Sequence, residues 1–575
     1  MSLSSHRLWA RLLALPFTAA LLCSALLLLS PPGHAAGDIG KHLASAAWLQ
    51  QNLARAELLL IDASPTPMFA AQHIPGAVHA DLMSFGGREL SPPQMQRRLQ
   101  AWGISPGKKL VLYDQDGQMW AARLFFDLYQ LGFPAADMLL LDGGLTAWKA
   151  AGGALTKEPT PAPAAGTFRI TRSRDEVVAR LPEFLAATGD PQQHAVVEAL
   201  EPEYYYGGTK FFDRGGHVPN AVMLPRSDFF DANQRFKSPA QIQRLLNHLG
   251  ITPERQITSY CGGGVAAAVP FFAMKFMLGY PEVKLFRGSQ IEWLRDGRGL
   301  PMWTYSAPEL QRNAAWLQGW FTPTMRAMGV ARLNVLDVRP AAAFALGHVP
   351  GAVNLPAATL TGQLRRPEQL AKTLRSLGVN PAQETVIVSG RGGIDPEAAL
   401  ALLMLQRLGH SRVSLLAESV DEWALQGLPV HQSPMNTGPV AGAAPVDSAL
   451  VNPAPVDMVL GNSTPLNDAR PGLLIDDPTR TRGHFPKVYI ASGAALTQRA
   501  PVDAAKGSVI HLPYTELLKS DGTPKAANEI WDRLIKAGVP RYAEIVLYAD
   551  EPGDAAANYV LLRLMGFTDL KVWAL

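Results

Sequence analysis

The feature that most constrains this chain is a pattern that occurs four times along it. Each copy has a short apolar run, a turn containing His and Pro, and two further apolar runs, and three copies then carry a tryptophan. In the second copy these are residues 195–198, 216–219, 257–261 and 284–286, followed by Trp293. Short apolar runs that alternate with longer helical stretches are typical of strands in a buried parallel sheet. The sequence therefore predicts an α/β protein of four tandem domains, each a small parallel sheet flanked by helices.

The repeats and the linkers between them define the expected boundaries. We predict a signal peptide at residues 1–36, followed by domains at 42–152, 168–303, 304–430 and 456–575. Residues 159–166 and 431–455 are rich in Pro and Ala, as linkers often are. The length of 575 residues agrees, since a domain usually takes about 100 to 200 residues.

The first 36 residues have the layout of an export signal. Arg7 and Arg11 precede an apolar stretch at residues 12–29, and Pro-Pro-Gly and small residues follow it. The alternative is an uncleaved membrane anchor, because about 18 apolar residues can just span a bilayer. We expect cleavage near Gly37, a periplasmic or secreted protein, and no stable membrane insertion after cleavage.

Cysteine and charge content exclude several kinds of site. Cys23 lies in the apolar segment, so the mature chain would keep only Cys261. One cysteine cannot form an intrachain disulfide or a Cys-based zinc site, and we expect no metal and no cofactor. The 52 basic and 49 acidic residues form no long block of like charge, so nucleic acid is not an expected partner. Small anions remain possible partners.

Cys261 begins the segment best suited to catalysis. It follows an apolar run and precedes an apolar helical stretch at residues 269–278, with a glycine-rich loop between them: Gly262, Gly263, Gly264, Val265 and Ala266. Backbone N–H groups and the helix dipole at such a place favour a thiolate, and glycines let the backbone curl around the sulfur. We therefore expect the pKa of Cys261 to lie below the usual value of about 8.5. The alternative is an inert, buried cysteine.

On these motifs the chain resembles the rhodanese-type sulfurtransferases, with four tandem rhodanese-like domains. The resemblance rests on the Gly-His-Val-Pro turns, the Asp-Val-Arg and Asp-Ala-Arg segments, Gly-Gly or Gly-Ser followed by Trp, and the Cys261 loop. It implies that Cys261 takes sulfur from a donor such as thiosulfate or 3-mercaptopyruvate as a persulfide. A thiophilic acceptor, cyanide or a thiol, would then remove that sulfur. Asp114, Ser389 and Ala549 stand at the position of Cys261, which implies that the first, third and fourth domains are inactive.

The resemblance is less specific about the substrate. The loop is similar to the 3-mercaptopyruvate type, Cys-Gly-Ser-Gly-Val-Thr-Ala, but Gly263 and Ala266 replace its Ser and Thr. Lys210 and Arg214 are the nearest matches to the family's arginines for the substrate carboxylate, and they are equally well explained as solvated loop charges. His73, in the turn of the first domain, is a further candidate for the active site, with a purely structural turn residue as the alternative. Thiosulfate and a polysulfide therefore remain alternative sulfur donors to 3-mercaptopyruvate.

Two other classes compete with a sulfurtransferase. A cysteine phosphatase would need an arginine six residues after the nucleophile, where Ala267 stands. A non-enzymatic sulfur-binding or scaffold protein is the stronger alternative, because three of the four copies lack the cysteine. In the two-domain members of the family the active loop lies between the domains, so we expect residues 37–303 to suffice for activity and residues 304–575 to be dispensable.

Overall fold

A computed structural model of the chain describes residues 42–82, 90–321, 333–433, 470–480, 483–495 and 508–573. These residues form four five-stranded sheets, which we call units 1 to 4 in chain order, and the strand pairs are parallel. In every unit the order across the sheet is first, fifth, fourth, second and third strand. The predicted α/β fold with four repeated units is confirmed. The predicted signal peptide and most of the linker at 431–455 lie outside the described residues, and no helix within them has the length and apolarity to cross a membrane.

Units 1 and 2 have the same succession of elements. Unit 1 consists of β1 (Leu43–Ala44), α1 (Ala46–Asn52), β2 (Leu58–Asp62), α2 (Thr66–Ala71), β3 (Val78–His79), α3 (Pro92–Ala101), β4 (Lys109–Tyr113), α4 (Met119–Gln130), β5 (Met138–Leu141) and α5 (Gly144–Ala150). Unit 2 consists of β6 (Val178–Ala179), α6 (Leu181–Gly189), β7 (His194–Glu198), α7 (Pro202–Tyr205), β8 (Ala221–Met223), α8 (Pro239–His248), β9 (Gln256–Tyr260), α9 (Ala268–Phe272), β10 (Val283–Phe286) and α10 (Ser289–Arg295).

Units 3 and 4 repeat this arrangement. Unit 3 consists of β11 (Gln311–Arg312), α11 (Ala314–Gly319), β12 (Leu333–Asp337), α12 (Ala341–Leu346), β13 (Ala352–Asn354), α13 (Ala357–Gly362), α14 (Pro367–Ser376), β14 (Glu384–Val388), α15 (Pro396–Arg407), β15 (Val413–Leu416) and α16 (Val420–Leu425). The described elements of unit 4 are β16 (Leu474–Ile475), β17 (Lys487–Ala491), β18 (Ser508–His511), α17 (Ala527–Lys536), β19 (Glu544–Tyr548), α18 (Pro552–Leu564) and β20 (Leu570–Trp573).

A buried tryptophan anchors the last helix of each of the first three units. Trp148, Trp293 and Trp423 lie on α5, α10 and α16 and are almost fully buried. Each indole N–H donates to a backbone carbonyl a few residues later, at 2.8, 3.0 and 2.8 Å respectively. A buried indole needs such a partner, because its N–H cannot reach water. These tryptophans therefore hold the end of each repeat in its core.

Two cores join the units to one another. The first connects units 1 and 2 through α4 and α9, where Phe125 meets Phe272 and Phe126 meets Phe271 with ring centroids 5.1 and 4.9 Å apart. The second joins the other face of unit 2 to units 3 and 4. Unit 2 is therefore packed on both faces, and the loop between β9 and α9 lies beside its junction with unit 1.

Candidate functional site

Cys261 lies directly after β9, in the loop that leads to α9. The carboxyl ends of parallel strands are the usual place for a site in an α/β sheet. The helical stretch predicted at residues 269–278 is only partly α-helical, because α9 ends at Phe272 and Ala273–Met277 form a π-helical turn. The loop comprises residues 261–267, so the sulfur lies one loop away from the first turn of the helix.

Backbone N–H groups surround the sulfur. The Gly264 N–H donates to Cys261 Sγ at 3.1 Å, and the backbone N–H groups of Gly263 and Ala267 also lower the pKa of the thiol. Gly264 has φ +79, and a Cβ there would lie 2.5 Å from the carbonyl oxygen of Arg287, so this position requires glycine. The Cys261 N–H donates to Ser289 Oγ at 3.1 Å, which fixes the start of the loop. The predicted curl of the backbone around the sulfur is present.

The pKa of Cys261 shifts in the direction opposite to the expected one. Cys261 is 2% exposed, and burial raises the pKa of its thiol above the ordinary value. The backbone groups lower the pKa but do not outweigh burial, and the Glu198 carboxylate raises it further. The prediction of a depressed pKa is therefore wrong, because a thiolate loses more hydration on burial than the three amides replace.

Glu198 is a buried acid close to this site. It ends β7, and its carboxyl group accepts from the Leu200 N–H and Gln290 Nε2, both at 3.2 Å, and from the Tyr260 hydroxyl. Burial raises the pKa of Glu198 to about 8, so the group is mostly protonated at neutral pH. Its negative charge therefore opposes a Cys261 thiolate mainly above that pH.

Unit 1 contributes an arginine to the loop. Arg123 on α4 donates from Nη1 to the carbonyl oxygen of Gly264 at 2.9 Å and from Nε to both oxygens of Asp127 at 3.0 Å. Asp127 also pairs with Arg287, which follows β10. Two guanidinium groups and one carboxylate therefore lie behind the loop with an excess of positive charge. Sequence reasoning missed this cluster, because nothing in the sequence near α4 indicates that its arginine meets residue 264.

The other three units have different residues at the position of Cys261. Asp114 directly follows β4, and its carboxylate accepts from four backbone N–H groups, those of Asp116, Gln118, Trp120 and Ala121, at 2.8 to 2.9 Å. Ser389 follows β14 and accepts from the Gly392 N–H at 3.3 Å, and Ala549 follows β19. The Asp114 loop therefore demonstrates that amides at this place in the fold converge on an anion.

The loop that carries Lys210 and Arg214 reaches the Cys261 loop. Lys210 is exposed and Arg214 is half-buried, and Phe211 beside Lys210 packs its ring against Gly262, where a Cβ would lie 2.5 Å from it. Phe211 is itself 43% exposed. The two cations thus stand on a loop that borders the buried sulfur, while their role in substrate binding stays a prediction.

His73 has the surroundings of a turn residue. Its Nδ1 lies 2.9 Å from the Phe69 carbonyl oxygen, its ring stacks on Phe69, and its backbone pairs with Thr156. His217 and His348 stand in the same way in units 2 and 3, on Tyr205 and Phe344. Across the described ranges, none of the contacts of His73 reaches the Cys261 loop, so a substrate role for His73 remains a prediction without a contact to support it.

Comparisons with known proteins give the chain a family. The thiosulfate sulfurtransferase of Azotobacter vinelandii is 31% identical over 252 residues, which are 43% of this chain and 91% of that protein. A probable 3-mercaptopyruvate sulfurtransferase of Pseudomonas aeruginosa is 33% identical over 291 residues, 44% of this chain and 96% of that protein. The sulfur carrier protein TtuD of Thermus thermophilus is 27% identical over 276 residues, with 44% and 93% covered. The family model of the rhodanese-like domain matches residues 45–151, 182–296 and 324–426, more than half of the chain, and the chain belongs to that family.

Proposed function

We propose that this protein is a sulfurtransferase that carries sulfur on Cys261. The observation that supports this most directly is the ring of backbone N–H groups around Cys261 Sγ, with Gly264 at 3.1 Å. The same loop position in unit 1 holds a carboxylate on four amides, so the backbone here suits a negative charge. A persulfide anion on Cys261 would be held by the same groups.

The reaction divides into two displacements at sulfur. The Cys261 thiol first loses its proton to solvent, and the thiolate attacks the outer sulfur of thiosulfate; a new S–S bond forms while the old one breaks and sulfite leaves with the electron pair. With 3-mercaptopyruvate the C–S bond breaks instead, and the carbon takes a proton to give pyruvate. Cyanide or a thiol then attacks the outer sulfur of the persulfide and restores the Cys261 thiolate. Splitting one transfer into two steps is the advantage of a covalent intermediate.

The raised pKa of the buried thiol makes the thiolate harder to form in the first step and a poorer leaving group in the second. Arg123 and Arg287 lie behind the loop, so their positive charge favours the thiolate against the cost of burial. A donor anion brings further negative charge, for which Lys210 and Arg214 stand on the bordering loop. Thiosulfate and 3-mercaptopyruvate are both small sulfur-containing anions, and both remain candidate donors.

Incubation with thiosulfate and cyanide tests the proposal through the formation of thiocyanate. 3-Mercaptopyruvate in place of thiosulfate, with pyruvate as the measured product, distinguishes the donors. A protein that gains one sulfur atom by mass but releases no thiocyanate and no pyruvate would be a sulfur-binding protein instead of an enzyme. A protein that neither gains sulfur nor turns over either donor would contradict the proposal.

A further inference from the structure

The loop beside Cys261 has its base in contact with unit 4. Residues 204–214, which we call the entry loop, begin at Tyr204 on α7 and carry Lys210, Phe211 and Arg214. Phe211 covers Gly262, next to a sulfur that is itself buried. A donor that approaches Cys261 from the side of Gly262 therefore meets the entry loop, so whatever holds that loop influences access to the sulfur from this side.

The first anchor is Tyr206. This side chain is 1% exposed, its hydroxyl donates to the Met565 carbonyl oxygen at 2.7 Å, and its ring stacks on Trp531 at 5.1 Å between centroids. Met565 follows α18 and Trp531 lies on α17, so both partners belong to unit 4. A buried hydroxyl without a partner is costly, so this bond ties the entry loop to unit 4.

The second anchor is Gly208, two residues further along the entry loop. A Cβ built on Gly208 would lie 3.1 Å from the Cβ of Asn528, which means that the backbone of the loop rests directly on α17. The Thr209 N–H then donates to the Glu203 carbonyl oxygen at 2.8 Å and closes the base of the loop. The exposed part of the loop runs from Gly208 to Phe211, so Lys210 and Phe211 follow directly on this closure.

The attachment depends on few groups. A cavity of about 220 Å³ lies between units 2 and 4 beside it, and Tyr206, Trp531 and Tyr542 are among its lining residues. Side chains do not fill this space. The contact between the entry loop and unit 4 therefore depends here on the stacking of Tyr206 on Trp531 and on the hydrogen bond from Tyr206 to Met565. Loss of either partner should therefore loosen the entry loop.

We infer that unit 4 positions the entry loop over Cys261, so that a unit without a catalytic cysteine sets access to the site in unit 2. Tyr206 and Trp531 are positioning residues in this scheme, since they act through Lys210, Phe211 and Arg214. The inference rests on the proposed sulfur transfer at Cys261. It is at odds with the expectation that residues 304–575 are dispensable, which stays a prediction, because the base of the loop packs on that part of the chain.

The full-length variants Trp531→Ala and Tyr206→Phe test the inference. An unanchored loop has to be ordered each time a donor binds, so we expect the KM for thiosulfate to rise about fivefold or more in Trp531→Ala, with a smaller change in kcat. Access to Cys261 should also increase. The rate of Cys261 modification, relative to wild type, should rise more for the bulky disulfide reagent DTNB than for the small reagent iodoacetamide. Tyr206→Phe, which loses one hydroxyl and keeps the ring, should give the same pattern at about two- to fivefold.

Thr568→Val is the matched control. Thr568 Oγ1 donates to the His248 carbonyl oxygen at 3.0 Å, so it joins the same two units through a bond that involves no residue of the entry loop. We expect unchanged KM and an unchanged ratio of the two reagents in this variant, and Trp531→Phe should restore most of the wild-type behaviour. Folded Tyr206→Phe protein with wild-type KM and reagent ratio would overturn the inference, even if Trp531→Ala failed to fold. Wild-type protein without sulfur transfer would refute the proposed function instead, while the reagent ratio would still decide on positioning.

Discussion

The loops that begin at Asp114 and Cys261 occupy the same place in two units but differ in what fills them. In unit 1 the Asp114 carboxylate takes four amides, and four residues separate it from α4. In unit 2 six residues separate Cys261 from α9, and the amides face a single sulfur. The fold therefore supplies an anion-binding loop in both units, and the first residue of the loop decides whether it is permanently occupied or open to chemistry.

Burial affects the two loops alike. It raises the pKa of Asp114 to about 6 and that of Cys261 above its ordinary value, and in both cases the amides oppose the shift. An anion in such a loop is therefore tolerated and not strongly favoured. The difference between an inactive and an active unit lies in the reactivity of sulfur, together with the charges that unit 1 places behind the Cys261 loop.

Cys261→Ser should have the largest effect, because it removes the sulfur that distinguishes the Cys261 loop from the Asp114 loop. A hydroxyl cannot hold a persulfide, so we expect complete loss of the sulfur mass gain and of turnover, with an unchanged fold by circular dichroism. Adding Asp114→Cys to this variant should restore nothing, because the shorter loop of unit 1 is arranged around a carboxylate. Sulfur gain by Cys261→Ser alone would show that Cys261 is not the carrier.

Gly264→Ala should have the next largest effect. The alanine Cβ would meet the Arg287 carbonyl oxygen at a residue with positive φ, so the loop must move and the amide that faces the sulfur moves with it. Misplacement of about 1 Å can lower kcat/KM by about a hundredfold. Gly263→Ala is the control, since its Cβ would meet only Ile291 Cδ1 at 3.4 Å. Equal kcat/KM values for the two variants would contradict this account of the loop.

Arg123→Met tests the contribution of unit 1 to the Cys261 loop. The variant loses a charged hydrogen bond to the Gly264 carbonyl and one positive charge near the sulfur, so the pKa of Cys261 should rise and kcat/KM should fall about tenfold. Alkylation rates of Cys261 measured against pH check the first part. Arg174→Met, which removes a contact with the Phe133 carbonyl and the Tyr129 ring, should leave the alkylation profile in place. If Arg123→Lys has the wild-type alkylation profile, the positive charge at this position, and not the geometry of the guanidinium group, sets the pKa of Cys261.

Glu198→Gln should have the smallest effect on turnover and a clear effect on stability. The pKa of Glu198 in the folded protein, about 8, lies above its unfolded value, so the wild type binds more protons when folded and loses stability as pH rises from about 4.5 to 8. The neutral amide removes this loss, on the order of 4 kcal/mol at pH 8. Urea unfolding at pH 5 and pH 8 measures it, and exposed Glu203→Gln is the control. If the urea midpoint of the wild type does not decrease from pH 5 to pH 8 by more than that of Glu198→Gln, the assignment is wrong.

The sequence was most informative where neighbouring residues carry the signal. Alternating apolar runs predicted the sheets, and the runs at residues 195–198 and 284–286 lie within β7 and β10. The glycine-rich run after an apolar strand predicted the loop around Cys261, because backbone curvature depends on a few adjacent residues. The same local reasoning failed for the length of the helix that follows, where a π-helical turn replaces regular α-helix after Phe272.

By itself, then, the sequence determined the four-fold repeat, the parallel α/β units and the position of Cys261 at the end of a strand. Only the tertiary structure decided the ionisation of that cysteine, since the pKa depends on burial and on Glu198 and Arg123, which reach it from other elements. It also decided the partners across the units: Arg123 and Gly264 are 141 residues apart in sequence, and Tyr206 and Met565 are 359 apart. Such contacts arise from the packing of whole units, and short-range sequence patterns carry no information about them.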